Sequence, residues 1–103
     1  MTSEFFNRLE DAKKIVAKQR VKKYIIDKKI EKWVVVGNSR EYLVNLNPFW
    51  CRCYDFQNNV LSGHVSQCKH NIAVQIAIRE GNFDSYSLSK EEYDQIRSDF
   101  LFD

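Results

Sequence analysis

Apolar and polar positions along the chain alternate with two different periods, and the order of those periods predicts the fold. From Ser3 to about Gln19, Phe5, Leu9, Ala12 and Val16 recur at helical spacing, with Ile15 widening the stripe. Arg8, Asp11, Lys14 and Lys18 take the opposite face, Thr2 or Ser3 is placed to cap, and Glu4 suits the positive end. The pattern predicts an N-terminal helix over residues 1–20. No Gly or Pro interrupts it, so one longer helix reaching Ile30 is the alternative. The strand-forming composition of Val21-Lys-Lys-Tyr24-Ile25-Ile26 favours a break near Arg20.

Residues 21–56 then read as an antiparallel β-meander of three to four strands. Val21–Ile26 is followed by a charged turn at Asp27-Lys28-Lys29, Ile30–Val36 by the turn signal Gly37-Asn38-Ser39, and Glu41–Leu46 by Asn47-Pro48. The fourth strand is expected over Phe49–Phe56, with Cys51 and Cys53 sharing one face and Trp50, Arg52 and Tyr54 the other. Residues 57–67 are expected to be a loop. From Lys69 to Glu80 the chain is apolar round most of a helix, with Gln75 and Arg79 as a narrow polar stripe and Gly81 as its stop. Ser89-Lys-Glu-Glu92 is a capping box opening a short C-terminal helix carrying Tyr93, Ile96, Phe100 and Leu101. The expectation is an α+β fold in a single domain spanning residues 1–103, with a metal-binding core at 49–81 and an acidic C-terminal extension at 82–103.

The chemistry is concentrated in two short pairs. Cys51-Arg-Cys53 and, after fourteen residues, Cys68-Lys-His70 contain all three cysteines and one of the two histidines. Three thiolates and an imidazole complete a tetrahedral set for one structural Zn²⁺. Cys68 and His70 converge only if Cys68 stands at the start of a helix with His70 in its first turn, because two positions are about 200° apart on a helix. His64 is the other histidine, but it sits in a polar stretch outside the C-x-H pair. A redox dithiol would more usually show C-x-x-C, and an odd cysteine count argues against a disulfide framework. A reducing compartment, cytoplasmic or nuclear, is expected.

This order, a strand carrying C-x-C, a loop, and then C-x-H opening an apolar helix, resembles the SWIM-type zinc finger. The preceding Tyr42-Leu-Val44-Asn-Leu46 and the following Asn-Ile72-Ala73 match that family's surroundings, and the similarity covers roughly residues 20–80. The resemblance implies a ββα unit with Cys51, Cys53, Cys68 and His70 as ligands, and association with DNA or with protein partners in recombination or repair assemblies.

Charge sharpens the partner question. Residues 1–36 hold ten Lys/Arg against five Asp/Glu, whereas residues 81–103 hold two against six, within a net charge of +2. The basic third makes DNA a candidate partner, with Lys22, Lys23, Lys28, Lys29, Arg52 and Lys69 as candidate contacts and Trp33, Trp50 or Tyr54 as stacking residues. A protein partner or self-association is the alternative, favoured by aromatic Phe5-Phe6 and Phe100-Leu101-Phe102 at the two ends. Neither a metalloprotease nor a deaminase signature is present, nor is a Gly-rich phosphate loop, so an enzyme with a small-molecule substrate is not expected. No stretch is long and apolar enough for a membrane span.

Overall fold

Valine and isoleucine supply the strands, and a left-handed residue separates them from the first helix. In the structure, a computed structural model describing residues 3–38 and 40–96, helix α1 spans Ser3–Ala17. Gln19 then takes a positive φ of 57°, which ends the helix and excludes the longer one. The expected cap at Thr2, the turn residue Ser39 and the aromatic run Phe100-Leu101-Phe102 lie outside the described residues, as do the side chains of residues 3–5.

Strands β1 (Val21–Ile26), β2 (Ile30–Val36), β3 (Glu41–Leu46) and β4 (Phe49–Cys51) form the antiparallel meander. Asp27 and Lys28 both have positive φ, and Lys29 N–H donates to the Ile26 carbonyl, the geometry of a type I′ hairpin turn. A fifth strand, β5 (Asp84–Leu88), pairs in parallel with β1 and completes the order β4-β3-β2-β1-β5. The sequence pattern did not predict it. Asp84-Ser-Tyr-Ser is polar and exposed, and only Leu88 is drawn inward, so no alternation announces an edge strand whose stability comes from backbone pairing.

Two corrections fall on the metal-binding region. β4 ends at Cys51 rather than Phe56, so Cys51 and Cys53 do not lie together on one strand. Residues 54–60 are helical, closing in a π-helical turn over Phe56–Val60, so the expected loop begins only at Leu61 and runs to Gln67. Phe56 anchors that turn by burial, and side-chain amides hold it: Gln57 Nε2 donates to the Arg52 carbonyl and Asn58 Nδ2 to the Tyr54 carbonyl.

Helix α2 spans Lys69–Glu80 and ends at Gly81 in the left-handed conformation expected of it, while α3 spans Lys90–Ile96. The Ser89–Glu92 capping box is formed as read, with Ser89 N–H donating to Glu92 Oε1 and Glu92 N–H to Ser89 Oγ. The sheet is covered on both faces. Residues Val21, Val35 and Val44 face α1 and α2, packed against Ala12, Val16 and Ala73. Tyr24, Ile26 and Val34 face the other way and pack with Tyr93 of α3. Each fully buried valine or isoleucine contributes about 1.5–3 kcal/mol. Ile78, expected in the buried stripe of α2, is instead exposed beside Arg79. Among the described residues no helix is long and apolar enough to cross a membrane.

Candidate metal centre

The four residues singled out by spacing converge. The side-chain ligand atoms of Cys51, Cys53, Cys68 and His70 all lie within 4.8 Å of one another, and all four residues are buried. It is the only such cluster among the described residues. Cys51 is the last residue of β4, Cys53 opens the turn that follows, and Cys68 is the N-cap of α2 with His70 in the first turn. His70 Nδ1 is 3.5 Å from Cys51 Sγ. A tetrahedral ion with Zn–S of about 2.3 Å and Zn–N of about 2.0 Å would set such atoms about 3.5–3.8 Å apart. The donor set fits one metal ion, and the Cys51–His70 separation matches such coordination. His64 is exposed, near Ser62, and takes no part.

Backbone donors aim at the sulfurs. Phe56 N–H donates to Cys53 Sγ at 3.3 Å and Asn71 N–H to Cys68 Sγ at 3.4 Å. Both bonds favour thiolate over thiol. Cys53 is lowered far below an ordinary thiol, first by hydrogen bonds from Cys51 and Cys68. Cys51 is raised, first because its own hydrogen is engaged with Cys53 and then with Cys68. The bond from Cys51 favours the Cys68 thiolate, but the Cys53 contact and burial outweigh it, and Cys68 is pushed up to about 12. Three buried negative sulfurs would repel one another, so the cluster would give up its remaining protons to solvent when a cation binds in their place.

A second tier of side chains holds these ligands. Tyr42 stacks on the His70 ring with centroids 4.5 Å apart. Asn71, fully buried, receives the Cys68 N–H on Oδ1 and donates through Nδ2 to the carbonyls of Asn45 and Trp50. Arg8 of α1 grips Asp55 in a two-point ion pair at 2.9 and 2.7 Å, and that contact holds the Asp55 carboxyl below its ordinary range. Neither Asn71 nor the Arg8–Asp55 pair was identified from sequence. Cys68-x-x-Asn71 has capping-box spacing with sulfur in place of a hydroxyl, and that signal was available.

The candidate contact residues do not form one patch. Lys22 and Lys23 point to opposite faces of β1, as neighbours on a strand must. Lys22 pairs with Glu41 at 3.3 Å, while Lys23 pairs with Glu31 at 3.1 Å and lies over the Trp33 and Phe83 rings. Both are committed to the sheet. Lys28 and Lys29 are exposed in the β1–β2 turn, at the far end of that strand pair from Val35, which packs toward the metal centre. Trp33 is half-buried, edge-on to Phe83, and is not a free stacking surface. Arg52 is exposed and Lys69 half-buried beside the ligands. No protein-family model matches the chain, and no curated protein or solved structure matches it either.

Proposed function

We propose that the chain is a small binding module of the SWIM type, held together by one structural zinc ion, that binds nucleic acid, most simply DNA. The observation that carries this reading is the alternation through the first ligand pair. Cys51 and Cys53 are buried, while Trp50, Arg52 and Tyr54 stand outward, with Tyr54 79% exposed and Trp50 37%. Metal coordination turns an aromatic–arginine–aromatic row toward solvent, where stacking on each base contributes about 1–3 kcal/mol and the guanidinium meets phosphate. A closed Cys₃His set leaves no position for a substrate or water, which favours a structural over a catalytic metal and a binding module over an enzyme. Three cysteines free of disulfides accord with a reducing compartment.

The test is binding of single- and double-stranded DNA to the zinc-loaded protein across a salt series. Trp50→Ala and Tyr54→Ala should each weaken single-strand binding by about tenfold or more, given the stacking contribution per base. Absence of binding at low salt overturns the reading.

An adaptor role is the second reading, favoured by the exposed apolar residues Phe6 and Leu61 and by the opposite charge of the two ends. It predicts self-association or partner capture that moderate salt does not disrupt. A monomer that recovers no partner removes it.

A further inference from the structure

A cavity among the described residues opens directly beside the metal centre. It is a cleft of about 460 Å³ bounded by the C-terminal end of α1, the β2–β3 turn, the segment after Cys53 and the first turn of α2. That volume is in the range of small-ligand sites, about 300–1,000 Å³. Its polar lining comes from Arg20, Asn38, Tyr54, Asp55, Lys69 and His70.

The arrangement of His70 makes this more than a surface depression. Its Nδ1 faces the sulfurs, so Nε2 points away from them. Ligating histidines almost always donate that second N–H to a partner. The hydrogen bonds His70 makes are to the sulfurs of Cys51 and Cys53, and the residue is only 5% exposed. No buried side-chain nitrogen or oxygen lacks a partner, so Nε2 must be open to the cleft it lines. With a metal on Nδ1, this atom carries a hydrogen and is a donor.

The charges beside it select the acceptor. Lys69 makes no ion pair among the described residues, and Arg20 spends one of its five N–H groups on Asn38 Oδ1. Asp55, the carboxylate in the lining, is already neutralised by Arg8. Three thiolates around a divalent ion leave one net negative charge, which the two cations exceed. A fixed imidazole donor, a guanidinium fork and an ammonium around one cleft match the oxygens of a phosphate group.

We propose that this cleft is a phosphate-binding site, with His70 Nε2–H at its floor and Arg20 and Lys69 at its walls. The inference rests on the nucleic-acid reading in one respect: a strand phosphodiester seated here would place its base beside Tyr54. A free phosphate monoester offers the same oxygens, and the experiment separates the two sources.

The zinc-loaded protein, ¹⁵N-labelled, is titrated with inorganic phosphate against chloride at matched ionic strength. Phosphate should shift the His70 Nε2 signal and those of Arg20 and Lys69. Arg20→Ala and Lys69→Ala should each weaken phosphate binding by about tenfold, the loss expected for a charged hydrogen bond. Lys28→Ala should leave it unchanged. A His70 signal indifferent to phosphate overturns the site. Parallel titrations use an oligothymidylate. If the two cleft variants weaken its binding in step with phosphate, the site anchors a strand. If phosphate binds and the oligonucleotide does not, the cleft stands as a site for free phosphate and the nucleic-acid reading falls. If the oligonucleotide binds and phosphate leaves the cleft signals unmoved, the reverse holds.

Discussion

Asn71 joins three parts of the centre with one side chain. It caps the helix that carries Cys68 and His70, and it satisfies carbonyls on both strands that lead into Cys51. Asn71→Ala leaves buried polar groups without partners, and we expect a loss of about 1–3 kcal/mol of stability. Metal affinity should fall by about 10–100-fold, as it does when groups that orient ligands are removed. Denaturant unfolding of the zinc-loaded protein and competition with a chelator measure the two effects. Unchanged affinity would show that the strand and helix hold their ligands independently. At this scale the ligands were legible in sequence because three thiols and an imidazole in two close pairs have few other uses. Asn71 was not, because an asparagine near a helix start reads as an ordinary polar residue until the carbonyls it reaches are known.

At the scale of elements, the ligand segment is positioned from outside. Arg8 reaches from α1 to Asp55, two residues beyond Cys53, and so ties the N-terminal helix to the metal-binding turn. A double-mutant cycle on Arg8→Ala and Asp55→Ala should give a coupling of about 0.5–1 kcal/mol, toward the upper range for partly exposed pairs because the contact is two-pronged. The pH dependence has a definite sign. Arg8 depresses the Asp55 carboxyl, so the pair stabilises the protein fully above the ordinary carboxylate pKa of about 3.9. The contribution is lost as pH falls through the depressed folded value. Stability of wild type and Asp55→Ala should therefore converge in acid. Antiparallel strands were legible because alternation and turn residues are local signals. β5 was not, since its partner β1 lies some sixty residues earlier in the chain, where no local pattern reveals it. The helical turn after Cys53 was hidden by Asn58 and Asn59, which favour loops until their amides find acceptors, the Tyr54 carbonyl and the Asp55 carboxylate.

For the molecule as a whole, a metal ion held by Cys51, Cys53, Cys68 and His70 would fasten the sheet to a helix. Structural zinc sites contribute on the order of 10–16 kcal/mol of apparent binding free energy, comparable with the net stability of a small domain. Cys68→Ser and His70→Ala should lower the zinc content and the melting temperature, whereas His64→Ala should bind one zinc ion per chain as wild type does. Because Cys53 already favours its thiolate while Cys51 and Cys68 hold their protons, zinc binding near neutral pH should release about two protons. Calorimetry in buffers of different ionisation enthalpy counts them, and affinity should fall as pH falls. The shortness of β4 has a consequence of another kind. Phe49 to Tyr54 has the composition of a longer strand, and it lies at the open margin of the sheet, where Cys53 is pulled inward and the ladder stops after Cys51. Without an ion, that segment would be free to extend and present aromatic side chains and unpaired amides to other copies of the chain. A bound zinc ion would thereby guard against amyloid-like growth as well as unfolding. Light scattering should rise with protein concentration in chelator and stay flat when zinc is restored.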